Sequence, residues 1–216
     1  MNLQSPKITK QLSLCESLND ELYTAQENQA IIFQMHFINQ ALEEPTLSHL
    51  EIRNCIFEKV TIEHFSGHDF YFLDVIFENC DCSNTTFNQS FFRRVTFKNC
   101  KLIGASFDEC TFDQVLFTDC QMDFLNVSLV KSKGLIFMNC DLNQASFLES
   151  NLSKVSFSEC NLTSSEFLHA NLRNIDLSTS NIEGIKTSLE DLKGLIVSPN
   201  QALMLSTFLQ IKIKNN

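Results

Sequence analysis

The chain has 216 residues, of which 44% are apolar, 19% are charged and 10% are aromatic, a balance typical of a folded protein rather than a disordered one. Its 16 basic and 26 acidic residues give a formal net charge of −10, which disfavours binding to nucleic acid through lysine and arginine. No apolar run reaches the roughly 20 residues of a membrane span, and residues 1–20 lack the apolar core of a signal peptide. We therefore expect a cytoplasmic protein that binds neither nucleic acid nor a membrane.

The first 30 residues follow no regular pattern. They contain Pro6, one cysteine and mixed polar side chains, and thirty residues are too few to build a hydrophobic core of their own. We predict that residues 1–30 form an irregular cap or arm over the start of the repeat that follows.

A five-residue repeat begins at Ile32. Of the 31 residues found at five-residue steps from Ile32 to Ile182, only Gly67 and Ser132 are not apolar, whereas composition alone predicts about 14 apolar residues. Fourteen of the 20 phenylalanines fall in this register, and a second register two residues earlier holds mostly Ala, Cys, Ser, Thr and Val. A period of five fits neither an α-helix nor an isolated strand. The pattern therefore indicates a repeat architecture with one large and one small inward residue in each unit.

A longer period of 20 residues shows how these units are arranged. Cysteine closes the tetrapeptides FENC, FKNC, FTDC, FMNC and FSEC at this spacing. Twenty residues correspond to four units per turn, which predicts a four-sided tube in which like residues stack on like. Backbone pairing would separate successive coils by about 4.8 Å. The positions expected to stack are Cys80, Cys100, Cys120, Cys140 and Cys160, and Phe57, Phe77, Phe97, Phe117, Phe137 and Phe157.

Residues 140–172, with the sequence CDLNQASFLESNLSKVSFSECNLTSSEFLHANL, resemble the pentapeptide-repeat family, whose unit is close to A(D/N)LXX. The resemblance extends over about residues 31–187. It implies an all-β fold, a right-handed quadrilateral β-helix, which is followed here by a short C-terminal helix. The corresponding division of the chain is an N-terminal arm or cap at 1–30, the β-helix at 31–187 and a C-terminal cap and dimerisation helix at 188–216.

The C-terminal segment carries the signals of a helix. Ser198 is a suitable N-cap, Pro199 occupies the first helical position and Gln201 lies three residues after the cap, so we predict a helix that ends near Leu209. One apolar face can cover the open end of the tube, while another is left for a partner. Residues 189–213 also resemble the C-terminal module of the Qnr and MfpA branch, in which a terminal helix forms the dimer; the alternative is a helix that only folds back onto the last coil. The expected homodimer interface comprises Leu203, Met204, Phe208, Leu209, Ile211 and Ile213.

The sequence offers no pattern typical of a catalytic or metal site. The nine cysteines include one close pair, Cys80 and Cys82, whose spacing does not match a structural zinc site, so we expect the cysteines to be reduced core residues. The five histidines fall mainly at outward positions, and the five glycines form no phosphate-binding loop. A tube filled by its own side chains leaves no internal pocket for a substrate. We therefore predict that the protein is not an enzyme and has no catalytic residue, metal or cofactor.

Acidic residues collect in the middle of the predicted tube. Between Leu102 and Val130 there are five acidic residues and no basic one, all at outward positions. Some members of the Qnr and MfpA branch bind DNA gyrase and topoisomerase IV as DNA mimics and protect them from quinolones, and the resemblance implies these partners here. The alternative is a rigid scaffold that binds a different protein. The candidate partner-binding residues, which we term the acidic girdle, are Asp108, Glu109, Asp113, Asp119 and Asp123.

Two segments depart from the repeat. Gly67 and Ser132 interrupt the apolar register, and we predict a bulge or softened corner at Gly67 and at Lys131–Gly134; the alternative is a recognition site. The spacing itself is unbroken from Ile32 to Ile182. The inserted loops that contribute to topoisomerase protection in several Qnr proteins are therefore not expected in this chain.

Overall fold

The computed structural model describes residues 2–43, 46–63 and 65–211. They form a right-handed quadrilateral β-helix of about seven turns, which confirms the predicted fold class. The helices are α1 (Leu18–Asn28) and α2 (Pro199–Leu205), and α2 continues as a 3₁₀ turn at Ser206–Leu209. Neither α-helix has the length and hydropathy needed to cross a membrane. The strands are β1 (Ser13–Leu14), β2 (Ile31–Phe33), β3 (Met35–Ile38), β4 (Ala41–Glu43), β5 (Thr46–Ser48), β6 (Glu51–Glu58), β7 (Thr61–Glu63), β8 (Ser66–His68), β9 (Tyr71–Glu78), β10 (Thr86–Asn88), β11 (Phe91–Lys98), β12 (Thr111–Thr118), β13 (Lys131–Ser132), β14 (Leu135–Met138) and β15 (Val155–Ser158).

Four sides surround the tube, and each takes one five-residue unit from every coil. Face 1 consists of residues 30–34 and of the segments that follow them at steps of twenty residues. Faces 2, 3 and 4 begin in the same way with 35–39, 40–44 and 45–49. Successive coils pair in parallel with a shift of twenty residues, as at Ile52, Phe72 and Phe92. Faces 1 and 2 share one ten-stranded sheet, whereas faces 3 and 4 have smaller sheets that continue as single parallel bridges.

In most of the described units, left-handed backbone at the fifth residue forms the corner of the tube. The φ angle there is 54° at Asn54, 57° at Asn79 and 56° at Asp119, and Asn and Asp tolerate this region better than most side chains. Glycine takes the same role at Gly104, where φ is 67°. The preference for these residue types at the fifth position therefore follows from the turn that each corner requires.

Seven phenylalanines form a stacked column inside the tube. The ring centroids of Phe57 and Phe77 lie 4.7 Å apart, and those of Phe77 and Phe97 lie 4.6 Å apart with only 3° between the ring planes. Each member of the column is at most 3% exposed, and each such aromatic pair contributes about 0.5–1.5 kcal/mol beyond its buried area. The predicted stacking is confirmed. The column consists of Phe37, Phe57, Phe77, Phe97, Phe117, Phe137 and Phe157.

Gly67 does not form the bulge that its place in the sequence predicts. It lies in regular parallel register beside Leu47 and Phe87. A β-carbon at Gly67 would lie 2.3 Å from a ring atom of Phe70 and 2.5 Å from a ring atom of Phe65. The two rings, which occupy positions where most units carry a small residue, therefore fill the space that the glycine leaves.

The segment Lys131–Gly134 departs from the repeat at its corner. Ser132 remains buried and in register with Phe112. The φ angle of Gly134 is 141°, compared with 56° at the corner residue Asp119, and the Gly134 N–H donates to Ser132 Oγ at 3.2 Å. The altered backbone is therefore confined to one corner of one coil.

Helix α1 covers the first coil of the tube. Ser17 accepts a hydrogen bond from the Asp20 N–H as the N-cap, and Leu18, Leu22 and Ala25 are buried in the core cluster. Where the sequence predicts an irregular cap, the residues after Ser17 thus form a regular helix.

Residues 3–9, which we term the N-terminal arm, lie along face 1 and cross several coils. Between Gln4 and Thr9 the arm passes three coil spacings, about 14 Å in five residues, which requires a nearly extended chain. Three of its amides bond to corner side chains of the coils. The hydrogen bonds run from the Thr9 N–H to Asn54 Oδ1 at 3.0 Å, from the Lys7 N–H to Asp74 Oδ1 at 2.8 Å and from the Gln4 N–H to Gln114 Oε1 at 3.0 Å.

Asp74 joins the arm to the coils through an ion pair. Its two carboxylate oxygens accept hydrogen bonds from Nε and Nη2 of Arg94, each at 2.7 Å, and both side chains are 12% exposed. Burial raises the pKa of the Asp74 carboxyl, but hydrogen bonds from Arg94 and the Lys7 N–H outweigh burial and hold that pKa below its ordinary value. These contacts therefore favour the ionised carboxylate that binds the arm.

A capping box begins α2, as the sequence predicts. The Ser198 N–H donates to Gln201 Oε1 at 2.7 Å, and the Gln201 N–H donates to Ser198 Oγ at 3.3 Å. The buried Gln201 side chain also donates to the carbonyl oxygens of Leu177 and Ser180 at 2.8 and 2.7 Å. The α-helix is shorter than predicted because its last turn has 3₁₀ geometry. One side chain thus both caps α2 and anchors it to the last coils.

Replacing Phe97 with alanine should lower the free energy of unfolding by about 3–5 kcal/mol, because it removes a fully buried ring from the middle of the column. Chemical denaturation followed by circular dichroism measures the loss. Phe33→Ala is the control, since the Phe33 side chain is 51% exposed, and it should cost far less. Equal losses in the two variants would contradict the structural role of the column.

Asp74→Ala should release the N-terminal arm, because the Lys7 N–H and Arg94 both lose their acceptor. Trypsin cleavage after Lys7 and Lys10 at neutral pH should become faster, and Asp113→Ala is the control because Asp113 pairs with Arg93 instead. Because the pKa of Asp74 is lowered in the native protein, the ionised Asp74 carboxylate stabilises the folded state. This stabilisation is fully present above the unfolded-state pKa of about 3.9 and is lost as the pH falls through the lower folded-state pKa. Unchanged cleavage in Asp74→Ala would contradict this attachment.

Candidate partner-binding surfaces

The 20-residue period sorts the charged residues among the four faces. From 30–34 to 170–174, face 1 carries seven basic and three acidic residues, a net charge of +4. Between Asp69 and Lys186, faces 3 and 4 together carry nine acidic and two basic residues, a net charge of −7. This acidic chain therefore has one basic face and two adjoining acidic faces. The acidic residues of faces 3 and 4 in this span, which we term the acidic side, are Asp69, Asp81, Asp108, Glu109, Asp123, Asp141, Glu149, Glu166 and Glu183.

The acidic girdle encircles the tube instead of lying on one side. Asp108 and Glu109 lie on face 4 and Asp123 lies on face 3, so these three belong to the acidic side. Asp119 lies on face 2, where Oδ1 accepts a hydrogen bond of 2.7 Å from Asn139. Asp113 lies on face 1 and is paired with Arg93 at 3.4 Å. A partner that docks against one side can therefore contact only part of the girdle.

Asp108 and Glu109 place two carboxylates next to each other on face 4. Partial burial, and then the charge of Glu109, raise the pKa of the Asp108 carboxyl. Gln89 Nε2 donates to Glu109 Oε2 at 3.3 Å and adds no charge to the pair. A cationic group that docks here would relieve the repulsion between the carboxylates.

The C-terminal end of the chain exposes apolar side chains. Leu203, Met204, Leu209 and Ile211 are 55%, 41%, 59% and 55% exposed. Phe208, by contrast, is half-buried against the core, and Ile213 lies outside the described residues. A groove of about 340 Å³ runs beside these side chains. We term the exposed residues and this groove the C-terminal patch; the groove is lined by Leu189, Leu192, Lys193, Leu195, Val197, Ala202, Leu205, Ser206 and Leu209.

The nine cysteines are all free and buried. Eight of the nine thiols bond to backbone carbonyls, as between Cys110 Sγ and Phe87 O at 3.0 Å and between Cys100 Sγ and Phe77 O at 3.4 Å. Burial raises the pKa of Cys55 to about 11 and that of Cys110 to about 12, so the reactive thiolate is disfavoured at both positions. In 2–43, 46–63 and 65–211, no three His, Cys, Asp or Glu side chains are placed to hold a metal ion.

Sequence reasoning missed the difference between the faces and the position of the N-terminal arm. The charge difference between the faces can be found in the sequence, because assigning each charged residue to its place in the 20-residue period separates the basic face from the acidic side. No such signal exists for the arm, since its residues follow no period and bind side chains that are distant in sequence, such as Asp74 and Gln114.

Comparison with known proteins identifies the repeat. The family model described as "Pentapeptide repeat region" matches residues 70–137 and 124–187, and no curated protein sequence matches the chain significantly. Full-length QnrB1, described as a plasmid-mediated fluoroquinolone resistance protein, is 20% identical over 84% of this chain and 91% of its own, with a TM-score of 0.43. HetL, a protein of the cyanobacterium Nostoc involved in heterocyst differentiation regulation, is 11% identical over 78% of this chain and 86% of its own, with a TM-score of 0.28.

A third similar structure is a pentapeptide repeat protein of the Arabidopsis thaliana thylakoid lumen. It is 25% identical over 44% of this chain and 67% of its own, with a TM-score of 0.29. The family model covers more than half of the sequence, and the five-residue register, the four-sided coil and the left-handed corners agree with it. The chain belongs to the pentapeptide-repeat family.

Proposed function

We propose that the protein is a DNA mimic that binds DNA gyrase and topoisomerase IV and protects them from quinolones. The observation that carries the proposal is the acidic side of the tube, which presents fixed negative charge along its length. In this role the protein acts by binding and catalyses no reaction. The basic groove of an enzyme built to bind DNA is the complementary surface.

The charge density of the acidic side is close to that of a nucleic-acid strand. From Asp69 to Glu183 it extends over roughly six coils, about 29 Å at the spacing of paired strands. Its net of seven negative charges therefore amounts to about one charge per 4 Å, compared with one phosphate per 3.4 Å along one strand of DNA. A surface that binds one strand by its charge would meet a similar field here.

Rigidity supports the same role. Successive coils are joined by parallel backbone pairing on all four faces, and the phenylalanine column fills the interior. The carboxylates of the acidic side therefore keep their spacing before a partner arrives. Binding then costs less ordering entropy than it would for a flexible acidic segment.

We further propose that two copies associate through the C-terminal patch. Four large apolar side chains of this patch are between 41% and 59% exposed, and the adjacent groove is lined mainly by leucine and valine. A second copy can cover both at once, because a two-fold axis places the same patch on each partner. Two tubes joined end to end would double the length of the acidic surface.

A gyrase supercoiling assay with a fluoroquinolone present tests the proposed function. The native protein should restore supercoiling at a concentration near that of the enzyme. The variant with Asp108→Asn, Glu109→Gln and Asp123→Asn should need at least about tenfold more protein, because it lacks three charges of the acidic side. The matched control removes three charges from face 2 by Asp119→Asn, Glu159→Gln and Asp176→Asn, and it should act like the native protein.

Two results would contradict the proposal in different ways. Absence of rescue by the native protein at any concentration would reject topoisomerase protection. Equal weakening in the two triple variants would reject the assignment of the acidic side, since net charge alone would then explain the effect.

Introducing charge into the C-terminal patch should give monomers. Leu203→Glu with Leu209→Glu places two carboxylates in the proposed apolar contact, and light scattering after size-exclusion chromatography reports the mass. Leu14→Glu, at a 67% exposed residue near the other end of the tube, is the control and should leave the dimer intact. A native protein that is monomeric at all concentrations, or a dimer that survives both patch substitutions, would overturn the assignment.

A further inference from the structure

The basic residues of face 1 fall into two groups along the tube. In the first coils they are paired with carboxylates: Arg53 with Glu51, Arg94 with Asp74 at 2.7 Å, and Arg93 with Asp113 at 3.4 Å. The basic residues of the later coils form the second group. Within the part of the chain that the structure describes, no carboxylate lies within 4.0 Å of the cationic groups of Lys131, Lys133, Lys154 and Arg173.

A groove of about 440 Å³ is lined by two of these four cations. Lys154 and Arg173 contribute its charged groups, and both are exposed. Asn151 and Asn171 contribute amide nitrogens, while their oxygens already accept the N–H groups of Ser153 and Arg173 at 3.1 and 3.0 Å. The groove therefore presents hydrogen-bond donors and positive charge, which suit a ligand that carries carboxylates.

The groove continues the line of the N-terminal arm. Leu3 lies against Gly134, and the corner residue of the next coil on the same face is Lys154, followed by Asn174 one coil later. Both line the groove. Leu3 therefore lies one coil spacing, about 4.8 Å, from the corner at which the groove begins.

The bound arm shows how this edge of the tube holds a nearly extended chain. The side chains of Asn54, Asp74 and Gln114 accept its backbone N–H groups at 2.8–3.0 Å. These acceptors occupy the corner position of face 1, and the backbone at Asn54, Asp74, Gln114 and Asn174 has the same left-handed geometry. Asn174 repeats the carboxamide of Asn54 six coils later and can bind a backbone in the same way.

We propose that this groove binds an extended acidic segment of a partner protein, placed in line with the N-terminal arm. Lys154 and Arg173 pair with its carboxylates, and the Asn174 side chain bonds to its backbone. The proposal is independent of topoisomerase binding, because it uses face 1, whereas the acidic side lies on faces 3 and 4. The protein would then hold a second partner while the acidic side is occupied.

Fluorescence anisotropy with a labelled ten-residue peptide of alternating Glu and Thr tests the proposal on the full chain. The native protein should bind this peptide saturably, and added salt should weaken the binding. Lys154→Glu with Arg173→Glu should weaken it at least about tenfold, and Lys154→Gln with Arg173→Gln should weaken it less. Lys186→Glu is the matched control, since Lys186 is an exposed lysine on face 4, and it should leave the affinity unchanged.

Three further probes, a Gln peptide, an oligothymidine and inorganic phosphate, test whether the groove binds a different class of ligand. Equal binding of the peptide with Gln in place of Glu, or equal weakening by Lys186→Glu, would overturn the proposal, as would a lack of binding to the acidic peptide. Tighter binding of a twelve-residue oligothymidine would assign the groove to nucleic acid instead. Full displacement of the peptide by inorganic phosphate at similar concentration would reduce the groove to a simple anion site. All of these results leave the gyrase assay unaffected, so the two proposals fail separately.

Discussion

Parallel hydrogen bonding between successive coils places each residue over the residue twenty positions away, and the remaining features of the molecule depend on that alignment. It requires the chain to turn a corner after every fifth residue, which the left-handed backbone at positions such as Asn54 and Asp119 provides. Because the alignment repeats, like side chains meet: phenylalanine rings stack 4.6–4.7 Å apart between Phe57 and Phe97. The core is therefore continuous although no segment of the chain could bury its own apolar residues.

The same alignment determines what a partner meets on the surface. A residue's face is fixed by its place in the 20-residue period, so charges far apart in sequence collect on one side. Face 1 becomes basic, while faces 3 and 4 become acidic over roughly six coils. The arm lies on the basic face and bonds to corner side chains there, for example Lys7 to Asp74. The tube thus has two surfaces of opposite charge on different faces.

Much of the fold could be predicted from the sequence because its cause is local and periodic. The inward phenylalanines and small residues identify the four-sided coil, and the Ser198 and Gln201 pair identifies the start of α2. Gly67 was predicted incorrectly, since its missing side chain is replaced by Phe65 and Phe70, a compensation visible only once the coil is closed. The acidic girdle is defined only by position along the chain, and it therefore includes Asp113, which is paired with Arg93 on the basic face. The path of the arm depends on side chains several coils apart, so no periodic pattern in the sequence predicts it.

If the acidic side takes the place of DNA on a type II topoisomerase, as we propose, the protein and DNA compete for one site on the enzyme. Binding of the labelled protein to DNA gyrase can be titrated at several fixed concentrations of linear duplex DNA. For competition at one site, the apparent dissociation constant of the protein should rise linearly with DNA concentration, with complete displacement at saturating DNA. A complex that retains both DNA and the protein at undiminished affinity would contradict it.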